Sequence, residues 1–121
     1  LSGRFSQITR GGKLIYRIDY RDCSVKEMIA LLHELDERVS EHDGPFSALS
    51  LFNHSSFATG EYMREAERVT AKHLPRLQNL AIAGELSIAK QLILQGFNLN
   101  FQRNFRTFES EEAALGFLER Q

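Results

Sequence analysis

Tryptophan is absent from this chain, cysteine occurs once, and proline and methionine occur twice each. The lone Cys23 cannot close an internal disulfide, and His33, His42, His54 and His73 are scattered, with no Cys/His spacing of the kind that ligates zinc. An oxidised, disulfide-stapled scaffold and a zinc module are therefore both disfavoured. Long apolar runs are missing too: no stretch of about 18 apolar residues is available to cross a bilayer. Charge of one sign is equally scarce. Fifteen Lys and Arg stand against 16 Asp and Glu, a net charge of -1, and that balance argues against nucleic acid as a partner. The opening residues Leu1-Ser2-Gly3-Arg4-Phe5 carry neither the apolar stretch of a signal peptide nor an initiator methionine. The reading is a cytoplasmic protein from which upstream residues have been removed.

What is present has the make-up of one folded domain over residues 1–121, with 42% hydrophobic and 26% charged residues. A chain of this length buries roughly two-thirds of the surface that its unfolded form exposes, enough to stand without disulfide or metal. Leu14, Tyr16, Ile18 and Tyr20 alternate with polar neighbours, a strand pattern to which Ile15 is the exception. Gly11-Gly12 just before it predicts a turn and an antiparallel edge strand over residues 5–9. Ser24-Val25-Lys26-Glu27 is a capping box, and Val25, Met28, Ile29, Leu32, Leu35 and Val39 continue it as a helical stripe that ends near Asp43-Gly44-Pro45. Residues 46–53 are too apolar for a half-exposed strand and belong at the centre of a sheet. Ser56 or Thr59 caps a second helix with Tyr62, Met63, Ala66, Val69 and Thr70 turned inward, closing before Pro75. Residues 77–83 form another apolar strand. Ser87 then caps a helix with Ile88, Ala89, Leu92 and Ile93 inward and Gly96 at its left-handed end. Residues 104–108 make a short last strand, and Ser110 caps a final helix through Ala113, Ala114, Phe117 and Leu118. The alternation predicts an α/β fold: a mainly parallel four-stranded sheet of β-α units, with an extra antiparallel strand at its N-terminal edge.

The strand Leu14-Ile15-x-x-Ile18-Asp19-Tyr20, the serine-capped helix after it, the apolar strand that follows, and the closing run Phe108-Glu109-Ser110-Glu111-Glu112-Ala113-Ala114-Leu115-Gly116-Phe117-Leu118 together resemble the SpoIIAA-like family. These are small bacterial domains related in fold to STAS domains and to CRAL-TRIO lipid carriers. The resemblance spans about residues 13–120, with Phe117 where the family usually shows tryptophan. It implies four β-α turns without catalytic chemistry. STAS domains of the anti-sigma-antagonist type regulate partner proteins through a serine in an Asp-Ser-Ser-Gly motif. The matching stretch here is His54-Ser55-Ser56-Phe57, with both serines present and the flanking aspartate and glycine replaced. By this resemblance Ser55 and Ser56 are the candidate phosphorylation sites, and the relation to lipid carriers adds an apolar or anionic ligand, or a peripheral membrane contact, as the alternative.

In open parallel sheets, ligands and partners meet the C-terminal ends of the strands, where helix N-termini also point. Those ends carry Asp19-Tyr20, Asn53-His54-Ser55-Ser56 and Gly84-Glu85, which makes them the candidate binding residues. As turn and cap residues, the same Asn and Ser side chains would simply satisfy helix N–H groups. His54 beside Ser55 makes no triad, since adjacent residues point different ways and no Gly-x-Ser-x-Gly elbow is present. Asp19 and Asp22 can pair as acid and base, or serve as ordinary charges before a helix. Cys23 stands before a helix cap, where a thiol can be activated, though such a residue more often packs as a small buried one. The segment Ala83-Gly84-Glu85-Leu86-Ser87 lacks both Gly-x-Gly-x-x-Gly and a Walker lysine, so Gly84 is read as allowing a tight strand-to-helix turn. His33, His42 and His73 read as helix-surface or boundary residues. Residues 96–108 interleave Phe97, Phe101, Phe105 and Phe108 with Arg103 and Arg106, and Phe97 and Phe101 are the candidates for an apolar surface, a homodimer interface included. No catalytic residue, metal or cofactor is expected. The sequence reads as a non-enzymatic regulatory module acting through protein contacts, with a small hydrophobic-ligand or membrane-lipid domain as the alternative.

Overall fold

The computed structural model describes residues 3–56, 59–85 and 88–121. Gly11 and Gly12 sit at φ +60° and +77°, the left-handed pair that a two-residue hairpin requires, and they join β1 (Phe5–Arg10) to β2 (Lys13–Asp19) with Arg10 opposite Lys13. From β2 the chain alternates: α1 (Val25–Ser40), β3 (Phe46–Phe52), α2 (Gly60–His73), β4 (Leu77–Gly84), α3 (Ile88–Phe101), β5 (Arg106–Phe108) and α4 (Glu111–Glu119). The five strands lie in sequence order, with β1 antiparallel to β2 and every later pair parallel. The expected α/β class and the extra antiparallel edge strand are both observed.

Sequential parallel strands joined by crossovers of one hand place their connecting helices on one face of the sheet. The core accordingly divides in two. Tyr16, Ile18, Phe46, Ala48 and Phe52 pack under α1, α2 and α3, while Ile15, Leu49, Leu51, Ala81 and Ala83 pack under α4. Ile15 therefore breaks the apparent alternation because both faces of the sheet are covered. Near its start β4 carries a bulge: Phe46 pairs with Leu77 but Ser47 with Asn79, and this lets Leu77 and Leu80 both face the three-helix side.

The helix starts follow local chemistry. Ser24 Oγ accepts the Glu27 amide at 3.1 Å while the Glu27 carboxylate accepts the Ser24 amide at 2.8 Å, completing the capping box. Thr59, not Ser56, caps α2, and Ser110 caps α4. Ser87 lies outside the described residues, as do the side chains of Ile88, Ala89, Leu92 and Ile93. Gly96 departs from its expected place. It lies inside α3, which continues to Phe101, and the left-handed residue is Gln102 at φ +56°. His73 stands at the boundary, as the last residue of α2, and is 6% exposed because α2 presses its last turn onto β3 and α1. Its Nε2 lies 2.7 Å from Asp36 of α1, and its Nδ1 faces the Arg76 guanidinium at 3.3 Å. Arginine only donates, so Nδ1 accepts and Nε2–H donates to Asp36.

Candidate functional site

The last rung of β2, Tyr20 N–H to Leu51 C=O at 2.9 Å, brings the ends of β2 and β3 together. After it the chain turns through Arg21-Asp22, with Asp22 at φ +60°, a conformation that Asp tolerates better than most residues. Asp22 and Asn53 clasp each other. The Asp22 amide donates to Asn53 Oδ1 at 3.2 Å, and Asn53 Nδ2 donates to Asp22 Oδ1 at 3.0 Å. Asn53 Oδ1 also accepts the Ser55 amide at 3.2 Å, an Asx turn that folds the loop after β3.

Ser56 closes this loop from inside. It is fully buried, its Oγ lies 2.8 Å from the Tyr20 carbonyl and 3.0 Å from Asn53 Oδ1, and it accepts the Asn53 amide at 3.3 Å. The hydroxyl is thus committed to bonds inside the loop. Ser55 is only half-buried, and His54 stands outside, its Nδ1 3.4 Å from Glu85 Oε2 across the ends of β3 and β4. Both of these side chains are about four-fifths exposed, so the pair is weakly held. Gly84 permits the close approach: at φ +117°, a Cβ there would lie 2.0 Å from the Phe52 carbonyl oxygen.

The structure thus gathers Asn53, Ser55, Ser56 and the Tyr20 backbone into one loop, with His54 and Glu85 on its rim and Gly84 beneath. Asp19 turns elsewhere. Its carboxylate takes the Arg21 guanidinium fork at 2.9 and 3.0 Å and the Arg21 amide at 3.0 Å. Burial pushes that carboxyl up, and these bonds more than reverse it, so Asp19 titrates below its ordinary value. Asp19 and Asp22 consequently form no acid–base pair, each being held by a different partner. Asp22 is the residue of the loop that sequence reasoning valued least. Phe57 lies outside the described residues. Cys23 is buried, and that burial raises its thiol pKa, opposite to activation.

Tyr20 belongs to two sites, because its ring points away from the loop into an apolar cleft. The cleft has a volume of about 100 Å³, is partly open, and lies between the sheet and α1, α2 and α3. Tyr20 stacks on Phe52 at 5.0 Å and meets Tyr62 edge-on at 5.5 Å. Burial pushes both phenols well above their ordinary range, so both are protonated at neutral pH. Phe97 also lines this cleft, and Phe101 meets it edge-on at 5.6 Å. Both are partly buried against the core, and the exposed large hydrophobic among the described residues is Leu99 of α3, at 84%. The arginines among these phenylalanines have internal work. Arg103 donates to the Leu74 and Leu77 carbonyls at 2.8 and 2.7 Å, and Arg106 lies over Phe108 and Phe117.

Among the described residues, no group of three His, Cys, Asp or Glu side chains is placed to hold a metal, and no helix is long and apolar enough to cross a membrane. No family model matches the chain, and no curated protein matches it. A solved structure with the same architecture is that of an anti-sigma-factor antagonist (STAS) domain protein from Planctomyces limnophilus. It superposes with a TM-score of 0.50 over 98% of this chain and 99% of that one, at 10% sequence identity. The chain has a SpoIIAA/STAS-like fold.

Proposed function

We propose that this protein is a non-enzymatic regulatory module that acts through protein contacts at the loop after β3, with His54, Ser55 and Glu85 as the contacting side chains. The observation that carries this reading is the inward commitment of the loop. Asn53, Asp22 and Ser56 spend their polar groups on one another and on Tyr20, which fixes the backbone and leaves the rim to face a partner. A loop held this way loses little freedom on binding. Within the described part of this loop His54 pairs with Glu85 and not with a serine, and Ser56 donates inward. The STAS-like fold supports the same class of role. A phosphate on Ser55 would add a charge of about -1.5 to -2 beside Glu85 and His54, enough to release or recruit a partner.

The test is affinity capture from the source organism with the wild-type chain and with His54→Ala and Ser55→Glu, each checked for an unchanged melting temperature. A specific protein should be retained by the wild type and weakened about tenfold by either substitution, the effect of losing about 1.4 kcal/mol. An identical set of captured proteins for all three chains refutes the reading.

The apolar cleft favours a second reading, a domain that takes a small hydrophobic ligand. Native mass spectrometry of the protein purified without detergent should then show an adduct that organic extraction removes, and a single peak at the mass of the bare chain counts against it.

A further inference from the structure

The loop after β3 stands at the C-terminal ends of the strands. At the opposite end, where β4 and β5 begin, a polar cleft of about 240 Å³ opens beside the last turn of α4. Gln78, Asn79, Arg103, Asn104, Arg106 and Gln121 line it, and among the described residues no Asp or Glu side chain does. Arg103 is fixed there by the Leu74 and Leu77 carbonyls, which hold its guanidinium but bring no negative charge to it. Arg106 lies over the rings of Phe108 and Phe117 at 5.9 and 5.5 Å, so its fork of N–H groups has no acceptor among the described residues. Two guanidinium groups without a carboxylate, set among amide side chains that can also donate, favour an anionic group, and planar forks suit a carboxylate.

The strand beside the cleft is the edge of the sheet. Just before it, the N–H and C=O of Phe105 both bond the Asn98 side chain, at 2.7 and 2.8 Å. Successive residues of a strand turn these groups to opposite sides, so Arg106 and Phe108 face β4 and Thr107 faces the same way as Phe105. Thr107 is exposed, and no other segment among the described residues bonds its main chain. One rung of the edge is thus filled by a side chain and the next stands open. We propose that β5 and this cleft form a docking edge for an extended acidic peptide of a partner protein, which pairs its main chain with Thr107 and sets carboxylates against Arg106 and Arg103. A peptide residue opposite Thr107 shares its face of the sheet, so the residues on either side of it turn to the α4 face, where Arg106 lies. The fitting sequence therefore alternates, with an acidic residue at every second position. A free dicarboxylate meets the arginines but not the open rung, and main-chain pairing is what distinguishes a strand-adding peptide.

NMR titration of the full, nitrogen-15-labelled chain with the capped peptide Glu-Thr-Glu-Thr-Glu-Thr tests this. The Thr107 amide should shift on binding, and Arg106→Gln, with an unchanged melting temperature, should weaken the peptide at least about tenfold, the range for a hydrogen bond to a charged group. If that variant does not fold, the Lys-Thr counterpart of the peptide, which should not bind the wild type, carries the charge test. The Glu-Thr peptide with its backbone amides methylated should bind about fivefold more weakly, the loss of one main-chain hydrogen bond. No binding of the Glu-Thr peptide at millimolar concentration, or equal binding of the Lys-Thr one, overturns the proposal. Glutarate binding as tightly as the peptide, or methylated and unmethylated peptides binding equally with the Thr107 amide unmoved, overturns the docking edge and leaves a site for small carboxylates in its place.

Discussion

Ser55 and Ser56 are adjacent, yet they occupy opposite positions in the chemistry of the loop. Ser56 is wholly buried and holds the Tyr20 carbonyl from 36 residues away, whereas Ser55 is half-buried and uses its backbone N–H. Removing the Ser56 hydroxyl takes away one of the two donors to that carbonyl, which keeps the Cys23 amide at 3.2 Å, so Ser56→Ala should cost about 1 kcal/mol of unfolding free energy. Ser55→Ala should stay within about 0.5 kcal/mol of the wild type. Urea titrations of the two variants decide it, and equal losses would contradict the roles assigned. Both serines are readable from sequence as turn and cap residues, because that preference is local. Which of them reaches back to β2 is not readable, since the bond depends on how two strand ends meet. The burial of His73 was hidden for the same reason: a histidine in a polar helix reads as a surface or boundary residue until the packing of α1 and β3 against it is known.

At the scale of elements, the contrast between α1 and α3 shows where local signals stop. The start of α1 is written in four consecutive residues, and the structure forms it as a capping box. The end of α3 is not. Gly96 costs a helix only about 1 kcal/mol relative to alanine, a penalty that packing overrides, and the helix runs on to Phe101. What stops the chain and returns it to the sheet is Asn98. Its Nδ2 donates to the Phe105 carbonyl at 2.8 Å and its Oδ1 accepts the Phe105 amide at 2.7 Å, so one side chain stands in for a neighbouring strand. Asn98→Ala leaves both groups without that partner, and about 2 kcal/mol of stability should go with it. Hydrogen exchange at the Phe105 amide should quicken beyond what the global loss explains. An amide protected as in the wild type would mean that β5 is held by β4 alone.

Across the whole molecule the two faces of the sheet are unequally covered, with three helices on one side and the nine-residue α4 on the other. Small residues let α4 settle closely on β4, where Ala81 and Ala83 lie under it, and ion pairs tie it to the first hairpin. Arg17 bonds Glu111 at 2.6 and 3.1 Å, and Arg10 reaches Glu119 at 3.0 Å. The Arg17 bond holds the Glu111 carboxyl below its ordinary value, and Glu65 falls to about 2 beside Arg68 and His33. In Asp36, burial works upward and the bonds from His73 and Lys72 more than offset it, so that carboxyl is lowered as well. A carboxylate with a depressed folded pKa gives stability that is present above its unfolded value of about 4 and is lost as pH falls through the folded value, because the unfolded chain binds protons first. The urea midpoint should therefore hold from pH 7 to about pH 5 and fall steeply below about pH 4.5. Arg17→Met should cost about 0.5–1 kcal/mol at pH 7, discounted for the partial exposure of Glu111, and should flatten the acid limb by the same amount. If the variant and the wild type lose stability in parallel down to pH 3, Arg17 and Glu111 do not hold α4 to the sheet through their charges, and the apolar contact with β3 and β4 and the Arg10 pair with Glu119 do so instead.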